Sequence, residues 1–182
     1  LRYGAKRCIM VGDPNQLPPT VLSGAASNLK YNQSLFVRME KNITPYLLNV
    51  QYRMHPDISR FPSREFYNGR LLDGPNMDAI NKRPWHSTQP LQPYKFFDIS
   101  TGRQQQNAKT MSYVNIEESK GAIELVKYLF DKYEKQVDFT GKIGVISPYK
   151  EQMLRMRRDF TSYFGSFINR FIDFNTIDGF QG

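Results

Sequence analysis

The sequence predicts an α/β fold in which a parallel sheet is flanked by helices. Two observations carry this prediction: short runs rich in apolar residues end at turn residues, and amphipathic helical patterns lie between and after these runs. A strand, helix, strand order joins parallel strands through right-handed crossovers. Ligands of such folds bind at the carboxyl ends of the strands, so the residues after each run are the first candidates for function.

Three apolar runs are predicted to be buried strands, and each ends at a turn signal. The pairs of run and turn are residues 7–11 with Gly12-Asp13-Pro14, residues 143–146 with Ser147-Pro148, and residues 172–177 with Asp178-Gly179. A further short strand is predicted over residues 96–99.

Two amphipathic helices are predicted in the second half of the chain. Asn115 followed by Glu118 has the pattern of an N-cap with its third-position acid. Apolar residues then recur at spacings of three and four, at Ile123, Val126, Phe130 and Tyr133. The second helix is predicted from Lys150 to Phe164, with one apolar stripe formed by Met153, Met156 and Phe160.

Two stretches interrupt this alternation. Residues 73–93 contain four prolines and little periodicity, which indicates a surface excursion. Residues 102–111 are polar, which indicates a mobile loop. A domain boundary is predicted near residues 42–48, where Pro45 interrupts the pattern.

Composition and charge exclude several classes of protein. The 182 residues are 40% hydrophobic, which is enough for a core in one compact domain or parts of two. Cys8 is the one cysteine, so the chain has no internal disulfide, and with two histidines it has no metal-ligand cluster of the zinc type. No apolar run approaches the roughly 20 residues of a membrane helix, so no membrane partner is expected. The net charge of +8 suits a polyanionic partner.

A dense motif follows each of the three runs and the predicted domain boundary. The four motifs are GDPNQLPPT from Gly12, QYRMHP from Gln51, SPYKEQ from Ser147 and NTIDGFQG from Asn175. Arg53 in the second motif is a planar, permanently charged group that can stabilise the charge developing on a transferred phosphoryl group. Tyr52 can offer an aromatic face to adenine. The alternatives are a surface or salt-bridged arginine and a packed core tyrosine, and His55 is interpreted as structural.

The other motifs carry amides and hydroxyls at predicted strand ends. Gln16 lies in a proline-stiffened loop, where its amide can sense phosphate or an attacking water; the alternative is a simple tight turn. The hydroxyls of Ser147, Tyr149 and Thr176 can donate to phosphate oxygens. Contacts of this kind bind a nucleic-acid strand without reading its sequence. The alternatives are helix capping for Ser147 and packing for Tyr149.

In this order, the four motifs resemble the middle and late motifs of superfamily 1 nucleic-acid helicases. The resemblance is to the 5′-to-3′ group, superfamily 1B, which contains the nonsense-mediated-decay helicase and senataxin. Further stretches are similar to the senataxin-type members, in particular the fungal ones: residues 21–25, 35–39, 65–67, 69–71 and 81–85. The resemblance covers essentially the whole chain.

The resemblance implies RecA-like parallel sheets flanked by helices, in a segment that spans two motor domains. Residues 1–46 correspond to the C-terminal part of the first RecA-like domain, and residues 47–182 to a second domain that is incomplete at its C-terminus. The implied activity is ATP-dependent 5′-to-3′ translocation on single-stranded RNA and DNA, with unwinding of duplexes or RNA–DNA hybrids. The implied setting is nuclear, in transcription termination, with RNA polymerase II and termination factors as partners.

The resemblance also implies roles for individual residues. The implied catalytic residues are Gln16 and Arg53, of which Arg53 reaches the γ-phosphate. The implied nucleotide contacts are Gln51, Tyr52 and Gly182, with Tyr52 stacked on the base. The implied nucleic-acid contacts are Pro18, Ser147, Pro148, Tyr149, Thr176 and Gly179.

Some motifs of this family do not occur in the sequence. A phosphate-cradling loop, an Asp-Glu pair for magnesium and the late arginine motif are all missing. We therefore expect the chain to be an internal segment, with ATP and Mg²⁺ bound mainly by upstream residues that it lacks. The alternatives are a related DNA helicase-nuclease, a decay helicase, or a non-catalytic RNA-binding scaffold.

Overall fold

The computed structural model describes residue 4 and residues 6–180. The chain divides into two compact units, the first ending at Asn81 and the second beginning at Lys82. The predicted domain boundary between residues 46 and 47 lies within the first unit and stays a prediction. In the described part of the chain, no helix is long and apolar enough to cross a membrane.

The first unit contains short helices and one pair of parallel strands. Its elements are α1 (Gly24–Asn28), α2 (Leu35–Met39), β1 (Val50–Gln51), α3 (Pro56–Tyr67), β2 (Leu72–Asp73) and α4 (Met77–Ile80). Strand β1 pairs with β2 in the register Val50 with Leu72 and Gln51 with Asp73. Asn68 caps the C-terminal end of helix α3, and its left-handed backbone stops the helix there.

The second unit contains an antiparallel hairpin, a parallel strand pair and the two long helices. Its elements are a 3₁₀ helix (Pro84–Ser87), β3 (Gln104–Gln106), β4 (Tyr113–Asn115), α5 (Ile116–Tyr133), β5 (Ile143–Ser147), α6 (Lys150–Phe164), a second 3₁₀ helix (Ser166–Arg170), β6 (Ile172–Thr176) and α7 (Ile177–Phe180). Strands β5 and β6 are parallel, from Ile143 opposite Ile172 to Ser147 opposite Thr176. The predicted α/β class with parallel strands and flanking helices is confirmed.

The first predicted helix is confirmed as α5, and its start has the predicted chemistry. The Asn115 side-chain oxygen accepts hydrogen bonds from the backbone N–H groups of Glu117 and Glu118. The Asn115 amide donates in return to Glu118 Oε1 at 2.9 Å. Two of the helix's otherwise unpaired N–H groups are therefore satisfied at this end.

The main core lies between α5, α6 and the β5–β6 pair. Its buried residues are Ile123, Val126, Met156, Phe160, Ile168, Ile172 and Phe174. Gln152 ties β4 to α6 beside this core, because its amide accepts from the Asn115 N–H at 2.8 Å and donates to the Asn115 carbonyl at 3.0 Å. The apolar stripe predicted for α6 faces this core, because Met156 and Phe160 belong to it and Met153 packs against it. The predicted bounds of the helix are confirmed.

The predicted surface excursion over residues 73–93 is wrong at Met77 and Leu91, although Ile80 in the same range is exposed. Met77 and Leu91 are buried, and Leu91 belongs to a second cluster with Tyr133 and Phe139. Trp85 stacks on Phe139 with ring centroids 5.6 Å apart. These anchors are spaced without a helical or strand period, so periodicity did not reveal them.

Three other predicted features are corrected by the structure. Residues 7–11 form no strand, and Ile9 and Val11 are 93% and 89% exposed. A strand requires a hydrogen-bonded neighbour, and no segment of the described residues pairs with this run. Residues 96–99 form no strand for the same reason. Residues 102–111, predicted as a mobile loop, contain β3, which pairs antiparallel with β4.

Replacing Phe160 tests the position of the core. Phe160 is 0% exposed, whereas Phe96 is 74% exposed and provides a matched control. We expect Phe160→Ala to lower the free energy of unfolding by about 3–5 kcal/mol, because it leaves a cavity. We expect Phe96→Ala to change it by about 0.5 kcal/mol or less. Equilibrium urea unfolding measures both, and equal effects would contradict the assignment of the core.

Candidate functional site

The loop that carries Gln16 is organised around the carboxylate of Asp13. Asp13 Oδ1 accepts the backbone N–H of Asn15 at 2.9 Å. Asp13 Oδ2 accepts the side-chain amide of Gln16 at 2.9 Å and the hydroxyl of Tyr67 at 2.5 Å. A turn bond from the Gln16 N–H to the Asp13 carbonyl, at 3.3 Å, closes the same segment. One carboxylate therefore contacts both the loop backbone and the Gln16 side chain.

These contacts also set the ionisation of the pair. Partial burial acts to raise the pKa of Asp13, but hydrogen bonds from Tyr67, Asn15 and Gln16 outweigh it, so this pKa lies below its usual value. The hydrogen bond to Asp13, together with burial and the nearby negative charge, raises the pKa of Tyr67. Near neutral pH the carboxylate is ionised and the phenol protonated. Their contact is thus a charge-assisted hydrogen bond.

The loop that carries Tyr52 and Arg53 is held by the side-chain amide of Gln51 at the end of β1. The amide oxygen accepts the backbone N–H groups of Arg53 at 2.8 Å and Met54 at 2.7 Å. The amide nitrogen donates to the Met54 carbonyl at 2.9 Å and to Asp73 Oδ1 at 2.6 Å. Both ends of the Gln51 amide are therefore engaged in shaping this turn.

Asp73 and Ser59 extend this support to the neighbouring elements. Asp73 lies on β2, directly opposite Gln51, and its Oδ1 also accepts the hydroxyl of Ser59 on α3 at 2.6 Å. Ser59 is buried. The hydroxyl of Ser63, one turn further along α3, donates to the Leu71 carbonyl at 2.7 Å. The turn after β1 thus rests on hydrogen bonds to both β2 and α3.

The turn presents Tyr52 and Arg53 to solvent. Tyr52 is 70% exposed, and Arg53 is also exposed. The Tyr52 ring lies against Gly74: a Cβ atom added there would stand 2.5 Å from Cδ1 and Cε1 of the ring. Gly74 therefore gives the ring the space that any larger residue would occupy.

His55 has the structural position that was predicted. It caps α3, with its Nδ1 accepting the backbone N–H of Asp57 at 3.1 Å. Pro56 follows at the first helical position, where its missing N–H removes no helical hydrogen bond. This cap starts the helix directly after the turn that carries Arg53.

In the second unit, the parallel register brings two of the predicted hydroxyl residues to one sheet edge. Ser147 and Thr176 are register partners at the carboxyl ends of β5 and β6. Ser147 is buried, and its Oγ accepts the backbone N–H of Tyr149 at 3.1 Å, across Pro148. Thr176 Oγ1 accepts the backbone N–H of Gly179 at 3.3 Å. Both hydroxyls therefore cap turns at the edge where nucleic-acid contact was predicted.

Tyr149 and Gly179 complete this edge. Tyr149 is partly exposed, and its ring packs edge-on against Tyr113 with centroids 5.2 Å apart. The side-chain oxygen of Asn175 occupies the place of a Cβ atom at Gly179, and the Asn175 amide donates to the Gly179 carbonyl at 2.9 Å. Only glycine fits at position 179 without a shift. Gly182 lies outside the described residues.

The structure adds residues that the motifs did not reveal. They support the predicted residues from other elements: Ser59, Tyr67, Asp73, Gly74 and Tyr113. Tyr67, Asp73, Gly74 and Tyr113 contact a motif from a distance in sequence, and Ser59 supports one through Asp73, so no local spacing indicated these roles. Tyr67 belongs to a stretch that supports the family resemblance, but nothing in the sequence pairs it with Asp13.

The chain matches two family profiles that carry the same description. Residues 31–182 match the profile of an AAA domain, and residues 1–24 match a second AAA domain profile. Since the first match covers most of the chain, the chain belongs to the AAA domain family.

Named relatives are similar to the chain over its full length. It is 76% identical over 182 residues to "Helicase SEN1" of Saccharomyces cerevisiae and 50% identical over 184 residues to "Helicase sen1" of Schizosaccharomyces pombe. It is 38% identical over 194 residues to "Probable helicase senataxin" of Homo sapiens. Each match covers 100% of this chain, but only 8%, 11% and 7% of the relatives' own lengths.

Proposed function

We propose that the chain is a motor segment of an ATP-dependent 5′-to-3′ RNA/DNA helicase of the senataxin type. The observation that carries the proposal is the turn of Tyr52 and Arg53, which is exposed to solvent. Three hydrogen bonds with the Gln51 side chain hold this turn, and a fourth joins Gln51 to Asp73. An exposed aromatic ring next to an exposed guanidinium, on a rigid turn at a strand end, suits a purine nucleotide and its phosphates. Similarity over the whole of this chain to proteins named as helicases supports the same activity.

In this proposal, ATP is the nucleotide that the first unit helps to bind and hydrolyse. Tyr52 packs on the adenine, and Arg53 donates to the γ-phosphoryl group, where it stabilises the charge that develops during transfer. Gln16 orients the attacking water or senses the phosphate through its amide. Gln51 acts on the nucleotide through the turn that it holds, and Gly182 keeps its predicted nucleotide contact. The domain boundary stays at residues 46 and 47.

Mg²⁺ accompanies ATP in the proposal without a ligand assigned in this chain. Among residue 4 and residues 6–180, no three His, Cys, Asp or Glu side chains come together in a way that could hold a metal ion. The roles that the proposal assigns to the described residues are charge stabilisation and positioning.

The nucleic-acid strand is proposed to run along the edge formed by β5 and β6. Tyr149 and Thr176 offer hydroxyls there, Ser147 holds the turn to Tyr149, and Pro148 and Gly179 shape the backbone. In the first unit, Pro18 on the Gln16 loop is proposed separately as a nucleic-acid contact. Hydroxyl contacts to phosphates hold a strand without reading its sequence, as translocation requires. Single-stranded RNA and DNA and RNA–DNA hybrids are the proposed substrates.

The finer assignments follow the senataxin-type relatives. Identity is 76% to the Saccharomyces cerevisiae relative and 35% to "Regulator of nonsense transcripts 1 homolog" of Neurospora crassa, which favours the senataxin type over the decay helicase. A nuclear location, a role in transcription termination, and RNA polymerase II and termination factors as partners are proposed on the same basis.

Arg53→Ala in the full-length protein tests the ATPase assignment. We expect nucleic-acid-stimulated turnover to fall on the order of 10³-fold, while the KM for ATP changes by less than about fivefold, because the guanidinium acts mainly in the transition state. Arg60→Ala is the matched control, since Arg60 is an exposed arginine on α3. Steady-state ATPase assays with saturating RNA measure both. More than about a tenth of wild-type turnover in the Arg53 variant would make Arg53 a structural arginine.

Thr176→Val tests the nucleic-acid edge at nearly constant side-chain volume. We expect single-strand affinity to fall about two- to tenfold on every sequence, through loss of one hydrogen bond. The slope of log affinity against log salt should stay the same, because threonine carries no charge. Thr176→Ser keeps the hydroxyl and should bind normally. Titrations at several salt concentrations decide; unchanged affinity with a lowered melting temperature would mean that Thr176 only caps the turn before Gly179.

A further inference from the structure

We propose that Tyr67 is a positioning residue that, through Asp13, links the loop of Gln16 to the helix that follows Arg53. The proposal deepens the proposed function and depends on it, because it concerns how the positions of Gln16 and Arg53 in the proposed ATPase site are coupled. Nothing about Tyr67 requires it to touch the nucleotide.

Two separate hydrogen bonds attach the Gln16 loop to the C-terminal end of α3. The Tyr67 hydroxyl donates to Asp13 Oδ2, 54 residues away in sequence. The side-chain amide of Asn15 donates to the Phe66 carbonyl at 2.9 Å, 51 residues away. Two attachments, from Asp13 and Asn15 to the adjacent helix residues Tyr67 and Phe66, restrict rotation of the loop as well as its distance from the helix.

The Tyr67 hydroxyl and the Gln16 amide share one acceptor. Both donate to Asp13 Oδ2, whereas Oδ1 is occupied by the backbone N–H of Asn15. A carboxylate held by Tyr67 therefore presents a fixed acceptor to Gln16. Without the phenol, Asp13 loses its contact with α3, and the direction of the Gln16 side chain is less restricted.

The same helix reaches the Arg53 turn at its other end. Ser59 on α3 donates to Asp73, and Asp73 accepts from Gln51, which holds the Arg53 and Met54 N–H groups. A continuous series of hydrogen bonds and one helix thus joins the two proposed catalytic groups: Gln16, Asp13, Tyr67, α3, Ser59, Asp73, Gln51 and Arg53. Contiguous networks of this kind can carry energetic coupling between two sites. A double-mutant cycle measures that coupling directly.

The test is Tyr67→Phe in the full-length protein, alone and combined with Gln16→Ala. We expect Tyr67→Phe to lower nucleic-acid-stimulated kcat by about tenfold, with the KM for ATP within about twofold, because a hydrogen bond to a charged group is lost while nucleotide binding is kept. In the Gln16→Ala background, we expect Tyr67→Phe to change kcat by less than about twofold, since its effect acts through Gln16. Tyr31→Phe, an exposed tyrosine of the same unit, is the control.

Hydrogen exchange separates positioning from loss of fold. We expect peptides that cover residues 13–16 to exchange faster in Tyr67→Phe, while peptides over β5 keep wild-type protection. An unchanged kcat, or the same fold-loss in both backgrounds, would overturn the proposal, as would faster exchange throughout the chain. Absence of stimulated ATPase in the wild-type protein would instead overturn the proposed function itself, so the two failures are distinguishable.

Discussion

The candidate nucleotide site depends on the hydrogen bonds made by the side-chain amide of Gln51. The amide uses its oxygen and its nitrogen to close the turn that carries Tyr52 and Arg53, and it ties that turn to Asp73 on the paired strand. A bare two-residue parallel pairing holds few backbone hydrogen bonds, so side chains supply the rest of the rigidity. The proposed role of the exposed Arg53 guanidinium depends on a backbone that is fixed in this way.

In the second unit, the backbone at the strand ends is fixed in a different way. Its two strand ends are aligned by the register of β5 and β6 and supported by a buried core with α5 and α6. Ser147 and Thr176 then cap the turns beyond their own strands, which fixes the backbone near the edge. The proposed nucleic-acid contacts are thus built on regular structure, whereas the proposed ATP contacts are built on side-chain hydrogen bonds. This difference suits the proposed function, in which one surface binds the nucleic acid and the other responds to hydrolysis.

The sequence predicted the parts whose signals are local. Helices α5 and α6 were predictable because their apolar spacing continues over many residues, and because Asn115 marks the start of α5. The run at residues 7–11 has the composition of a buried strand, but the described residues supply no neighbour to pair with it. Helix α3 was missed because Pro62 lies in its interior and its buried residues are the polar Ser59 and Ser63. The roles of Asp73 and Tyr67 depend on contacts across 22 and 54 residues, which no spacing within a motif encodes.

The central claim is that Tyr52 and Arg53, held by Gln51, face the nucleotide during phosphoryl transfer. A structure of the full-length protein with single-stranded RNA, ADP and a planar phosphoryl mimic tests this claim most directly. The account predicts an Arg53 nitrogen within about 2.7–3.2 Å of the mimic and the Tyr52 ring on the adenine, with the Gln51 hydrogen bonds retained. A bound nucleotide whose phosphates are met by other cations, with Arg53 left in solvent, would contradict it.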